Sequence, residues 1–244
     1  MIQNFLAALV AFLLTLVCMP IFINYQHAKK EGQQIREEGP KWHQKKSGTP
    51  IMGGAIFIAA IVISTLFFNI LSGALNSTYF VLILGFLGFG IVGFLDDGIK
   101  LLKKRNMGLK AYQKLLGQIL IAIFILIILV SDQFSFAIQL PIFGEINSLW
   151  FFGLFLIFWL VGFSNAVNLS DGLDGLATGL AIIAYGTYGV IAYQTRQSVI
   201  LMFCLAVVGG LLGFLLFNHK PAKIFMGDVG SLALGGGLAI ISLL

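Results

Sequence analysis

Five aspartates carry the chemistry this chain could do. They stand at the ends of long apolar segments in a protein with only 10 acidic residues among 244. Asp96 and Asp97 lie in GFLDDGIK, Asp171 and Asp174 in NAVNLSDGLDGLA, and Asp228 in FMGDVGSLALGG. Ionised carboxylates at membrane depth are costly, so they sit against partners or water and mark functional sites. Grouped carboxylates also attract a hard cation such as Mg²⁺, which prefers oxygen ligands. Adjacent Asp96 and Asp97 repel each other unless a cation or a lysine is near. Lys100, three residues on, shares a helical face with Asp97. The pair supports a metal site or a general base, set against a polar helix end with a local ion pair.

Two other motifs supply complementary groups. Asn165, Asn168, Asp171 and Asp174 recur every three residues, a polar stripe whose amides can read carbonyl, amide or hydroxyl groups. The bland alternative is a hydrogen-bonded seam between helices. In NHKPAKIFMGDVGSLALGG, His219, Lys220 and Lys223 precede a turn that projects Asp228 as a metal ligand or a helix-start cap, and Ser231 is expected to cap the next helix. Lys45 and Lys46 in PKWHQKKSGTPIMGG precede a helix start where backbone N–H groups could receive phosphate. Pro40, Pro50 and the glycines interrupt any continuous helix there. Read alone, that segment is a basic loop before a Gly-rich packing face.

The elements that must hold these residues are membrane helices. Hydrophobic residues make up 59% of the chain and charged ones 10%, which excludes an ordinary soluble core. The fold class is all-α and polytopic, with helices expected near 2–24, 51–71, 79–95, 115–130, 149–167, 175–193 and 199–217 and an incomplete eighth from 231. The first is read as a retained helix, since it lacks a basic leader and a small-residue cleavage site. Fourteen of the fifteen basic residues fall in loops 25–50, 96–114 and 218–230. That bias assigns those loops to the cytoplasm and the N-terminus to the outside. By parity 168–174 joins them, so all five aspartates, with His27, His43 and His219, face the cytoplasm. The outer loops carry only Asp132, Glu145 and Arg196 as charges.

The same bias accounts for the net charge of +5, with contacts to anionic membrane lipid, and no nucleic-acid partner is expected. Cys18 and Cys204 fall within spans and are expected to be buried packing residues, with neither disulfide framework nor zinc spacing. Acids for a divalent ion, lysines for phosphate and amides for a polar head group on one face form the set that phosphoryl transfer requires.

The segments SGTPIMGG, FLDDGIK, NAVNLSDGLDGLA and KPAKIFMGDVGSLALGG together resemble the MraY family of bacterial phospho-N-acetylmuramoyl-pentapeptide transferases. These belong to the polyprenyl-phosphate N-acetylhexosamine-1-phosphate transferases. The motifs run in the family's order over almost the whole chain, and Lys100 stands where relatives acting on other sugars tend to be acidic. The resemblance implies transfer of phospho-MurNAc-pentapeptide from UDP-MurNAc-pentapeptide to undecaprenyl phosphate, giving lipid I and UMP with Mg²⁺. That is the first membrane step of peptidoglycan synthesis, in the bacterial cytoplasmic membrane. It implies Asp228 and Asp171 at the metal, and Asp96 and Asp97 as base and metal support. It implies Lys46, Thr49, Lys100, Lys114, Asn165, Asn168, Asp174 and Lys223 on the substrates, with Lys110 close enough to compete with Lys114. A homodimer is a further expectation. The family has ten membrane helices and a His-rich cytoplasmic segment near its C-terminus. The expectation is therefore one transmembrane domain over 1–244, truncated in its eighth helix, with turnover below a normal rate. The competing expectations are a sister transferase moving another N-acetylhexosamine phosphate and a non-catalytic transporter or scaffold. Carboxylates gathered at one face, without a repeat, count against a transporter.

Overall fold

The computed structural model describes residues 2–29, 48–103, 107–140 and 144–244. Eight helices account for most of them. They are α1 (Ile2–Ala28), α2 (Gly54–Leu71), α3 (Ser77–Leu102), α4 (Ala111–Ser131), α5 (Leu149–Ser170), α6 (Leu176–Gln194), α7 (Ser198–Asn218) and α8 (Gly227–Ile241). The first seven are long and apolar enough to cross a membrane. In lipid a backbone must satisfy its own polar groups, and uninterrupted apolar helices do so. The all-α polytopic class is therefore observed.

Helix α8 is the axis of the molecule. It packs most closely on α3 and α5, and also touches α2 and α6. Every residue from Val229 to Ile241 is buried. Three consecutive glycines make this possible, because a Cβ at Gly235, Gly236 or Gly237 would overlap Ser164 of α5, Gly85 of α3 or Tyr185 of α6 respectively. At fifteen residues α8 rises about 22 Å, less than the roughly 30 Å hydrocarbon core. A second group, α1, α2, α6 and α7, closes around α7. Helix α4 is peripheral. Only Gln118, Ala122, Ile125 and Leu129 are buried on it, a single stripe with apolar residues exposed on the rest of its surface.

Several boundaries differ from the sequence expectation, for one reason. The expected helices end where their apolar runs end, yet charged residues continue a helix when they are paired. Helix α3 runs past Asp96 and Asp97 to Leu102, and α4 begins at Ala111, so Lys114 lies in its first turn. Helix α8 begins at Gly227, four residues before Ser231. Ser231 is therefore no N-cap, and its hydroxyl donates to the Gly227 carbonyl at 3.0 Å. Residues 48–53 are not helical. The segment before α5 holds an unanticipated antiparallel hairpin, β1 (Ala137–Leu140) with β2 (Gly144–Asn147), pairing Ile138 with Ile146. Cys204 is buried as expected, but Cys18 is exposed on the outer surface of α1. Among the described residues α1 packs chiefly on α2 and α7, which leaves one face turned outward, and Cys18 is on it.

Candidate active site

The functional motifs meet at one end of the bundle. Asp96 and Asp97 occupy successive positions near the C-terminal end of α3, only 4% and 2% exposed. Asp228 comes from the opposite direction, in the first turn of α8. Gly227 adopts φ +72°, a left-handed conformation that suits glycine, and this turn brings the chain into α8 with Asp228 facing α3. One oxygen from each of Asp96, Asp97 and Asp228 can be chosen so that all three lie within 4.8 Å of one another.

Each carboxylate is held by a donor. Asp97 accepts from the Val229 backbone N–H at 3.2 Å, and Asp96 from the Leu109 N–H at 2.8 Å. The Asn168 amide donates to Asp228 at 2.8 Å and to the Ser231 hydroxyl at 2.8 Å. Two lysines complete the cluster. Lys100 Nζ is 2.5 Å from Asp96, 3.1 Å from Asp97 and 3.1 Å from Asp228, and Lys114 Nζ is 3.1 Å from Asp228. With all groups ionised, three carboxylates meet two ammonium groups, so the cluster keeps a negative charge and oxygen atoms to offer a cation. Lys110, the competitor of Lys114, is exposed, with its ammonium 6.0 Å from the Tyr112 ring centroid.

The remaining expected residues distribute around this centre. The polar stripe does not act as one row, because α5 ends at Ser170. Asn168 reaches Asp228, whereas the Asn165 amide donates to Gln118 at 3.1 Å and to the Val161 carbonyl at 2.8 Å. Asp171 is the C-terminal cap of α5 and is outside the close carboxylate group. Asp174, in the α5–α6 turn, accepts from the Ala222 N–H at 3.3 Å. It thereby ties that turn to the segment carrying Lys223, which is exposed. Thr49 is half-buried in the extended stretch before α2. That stretch is bonded to the approach to Asp228: the Phe225 N–H donates to Pro50 at 2.9 Å, and the Gly53 N–H to Phe225 at 2.9 Å. Lys46 lies outside the described residues. Gln118 escaped the sequence reading, and Ser231 entered it only as a helix cap, not as the partner of Asn168. A lone glutamine four residues after Lys114, inside an apolar run, was the available signal for the first.

The sequence model of glycosyl transferase family 4 matches residues 79–244, which holds every one of these site residues except Thr49 and Lys46. A phospho-N-acetylmuramoyl-pentapeptide-transferase of Lactobacillus gasseri is 63% identical over 233 residues, 96% of this chain and 73% of that protein. The transferase of the same name from Lactobacillus acidophilus is 57% identical over all 244 residues, 76% of its own length. That of Listeria monocytogenes is 52% identical over 96% of this chain and 73% of its own. With this identity over nearly the full chain, and the acidic cluster inside the matched region, the chain belongs to the phospho-N-acetylmuramoyl-pentapeptide-transferases of glycosyl transferase family 4, a family of membrane enzymes.

Proposed function

We propose that the protein transfers phospho-MurNAc-pentapeptide from UDP-MurNAc-pentapeptide to undecaprenyl phosphate in a Mg²⁺-dependent reaction that gives lipid I and UMP. The observation that carries this reading is the convergence of Asp96, Asp97 and Asp228 with Lys100 and Lys114 at the mouth of the bundle. The names of the relatives support the donor.

The donor set fits Mg²⁺, a hard ion that takes carboxylate oxygens and keeps several waters. Asp228 is the proposed direct ligand, with Asp96 and Asp97 within reach directly or through water, and Asp171 contributing to the metal or the nucleotide. A bound Mg²⁺ would neutralise charge on the donor diphosphate and on the leaving UMP. The chain's own groups do the rest. One of Asp96 and Asp97 takes the proton of the lipid phosphate. A phosphate oxygen of the lipid then forms a bond to the β-phosphorus of the donor as the bond from that phosphorus to the UMP oxygen breaks. Lys100 and Lys114 hold phosphate oxygens as charge redistributes. Asn168 keeps Asp228 oriented. Thr49, Lys46 and Lys223 are assigned to phosphate or nucleotide, and Asn165 and Asp174 to the donor side of the site, directly or by holding it in shape.

The donor is tested by supplying UDP-MurNAc-pentapeptide and UDP-GlcNAc separately with undecaprenyl phosphate. Lipid-linked product is expected from the first alone, and product from UDP-GlcNAc alone would assign a sister transferase. The proposal includes a site facing the cytoplasm of a bacterial cytoplasmic membrane, supported by the concentration of lysine and arginine in alternate loops of the sequence. Ser77 lies near the opposite end, its hydroxyl donating to Asp132 at 2.9 Å. Cysteines at Ser77 and Ser135 should therefore be labelled by an impermeant reagent on intact cells, and one at Ser47 should not. Labelling at Ser47 would invert the map.

A further inference from the structure

Lys114 and Asn168 both end on Asp228, yet they come from different helices. Lys114 is on α4 and Asn168 on α5, and each must keep its axial position for the two to converge. The packing between α4 and α5 offers little to fix that position. Apart from Gln118, the buried stripe of α4 is Ala122, Ile125 and Leu129. Apolar packing is non-directional, and lipid tails compete for the same apolar surface. Helix α4 also packs on α3, and the Leu109 N–H holds its approach to Asp96 at 2.8 Å, so what remains to be set is its register against α5.

Gln118 is the buried polar side chain of α4, 1% exposed. It lies one turn beyond Lys114 on the same face. Its amide donates to the Ser164 hydroxyl at 3.2 Å, and its carbonyl oxygen accepts from the Asn165 amide at 3.1 Å. Ser164 and Asn165 lie one turn before Asn168 on α5. Ser164 also donates to the Val161 carbonyl at 3.1 Å, so both partners of Gln118 are themselves tied to the α5 backbone. The paired contacts define one alignment of α4 on α5, since a shift of either helix leaves buried amide groups without partners in an apolar setting.

We infer that Gln118 is a positioning residue: through Ser164 and Asn165 it sets the register of α4 on α5, so that Lys114 and Asn168 meet on Asp228. Its consequence for turnover rests on the transferase reading, but the geometric claim does not. Buried polar groups in apolar helix interfaces are best attested in this registering role.

The test is competitive amine labelling of the natural protein in bilayers without substrate, read by mass spectrometry, in wild type and Gln118→Leu. Lys114 should become several-fold more reactive relative to Lys110, while Lys100, held on α3, should stay protected. No change at Lys114 would overturn the inference. So would a joint rise at Lys100 and Lys114, which would report general loosening. Should Gln118→Leu fail to fold, Ser164→Ala removes the acceptor of the Gln118 amide, with the Ser164 bond to Val161 inside α5, and carries the same two expectations. In the transfer assay, Gln118→Leu should lower kcat about tenfold or more, the scale on which misplaced catalytic groups act. It should add no loss in a Lys114→Met background, because both changes act through one contact. An additive loss would overturn the inference. A wild-type protein that transfers nothing would instead remove the transferase reading, leaving the labelling to decide the register.

Discussion

Asp228→Asn should lower transfer by at least about a hundredfold at saturating Mg²⁺, the scale on which a lost electrostatic stabiliser acts. The replacement keeps the shape of the side chain and an oxygen that can accept from Asn168. It removes the negative charge that both Lys100 and Lys114 contact at 3.1 Å and that a divalent ion would require. The loss should therefore lie in turnover, with the fold intact in a thermal melt. Initial rates of lipid-linked product at rising Mg²⁺ are the measurement. A rate near wild type at saturation would take Asp228 out of the metal role.

Gly93→Ala should damage the site as severely through packing alone. A Cβ at Gly93 would overlap the Asp228 carbonyl and the Val229 nitrogen. These are backbone atoms that cannot rotate away, so α3 must back off from α8. That movement breaks the Val229 bond to Asp97 and separates Asp96 and Asp97 from Asp228. Overpacking of this kind costs roughly 1–3 kcal/mol, and the geometric loss should reduce turnover by about a hundredfold. Gly98→Ala, five residues on in the same helix, is the comparison. Nothing lies within 4 Å of its added Cβ, so stability should move by no more than about 0.5 kcal/mol. Paired melts and rates for the two variants test this, and equal behaviour would contradict the close crossing of α3 and α8.

The parts of this architecture that could be read from the sequence are those written in hydropathy. Seven spans and the Asp96–Asp97, Asn168 and Asp228 motifs were legible because a carboxylate or amide stands out within an apolar run. The alternate loops carrying lysine gave the expectation that these motifs share one face, and they do meet at one end of the bundle. Contacts between helices were not legible. Nothing in the spacing of Asn165 and Asn168 says that one reaches Asp228 while the other turns to Gln118, since that depends on where α5 stops and how α4 lies against it. The start of α8 was misplaced because a glycine before an aspartate reads as a loop, whereas Gly227 opens the helix. The β1–β2 hairpin did carry a signal, since Phe134, Phe136, Ile138 and Leu140 alternate with period two, but that pattern is short and lies between two far longer apolar runs. The Gly235–Gly237 run was visible, but the three helices it admits were not.

The most direct test of the central claim is the metal dependence of phosphoryl transfer by the natural protein in bilayers. The measurement is radiolabelled lipid-linked product formed from UDP-MurNAc-pentapeptide and undecaprenyl phosphate across a Mg²⁺ titration, with chelator as the zero point. The account predicts product that rises and saturates with Mg²⁺, matched by release of UMP, and that vanishes on chelation. Transfer that proceeds unchanged in chelator, or saturating Mg²⁺ that yields no lipid-linked product, would contradict it.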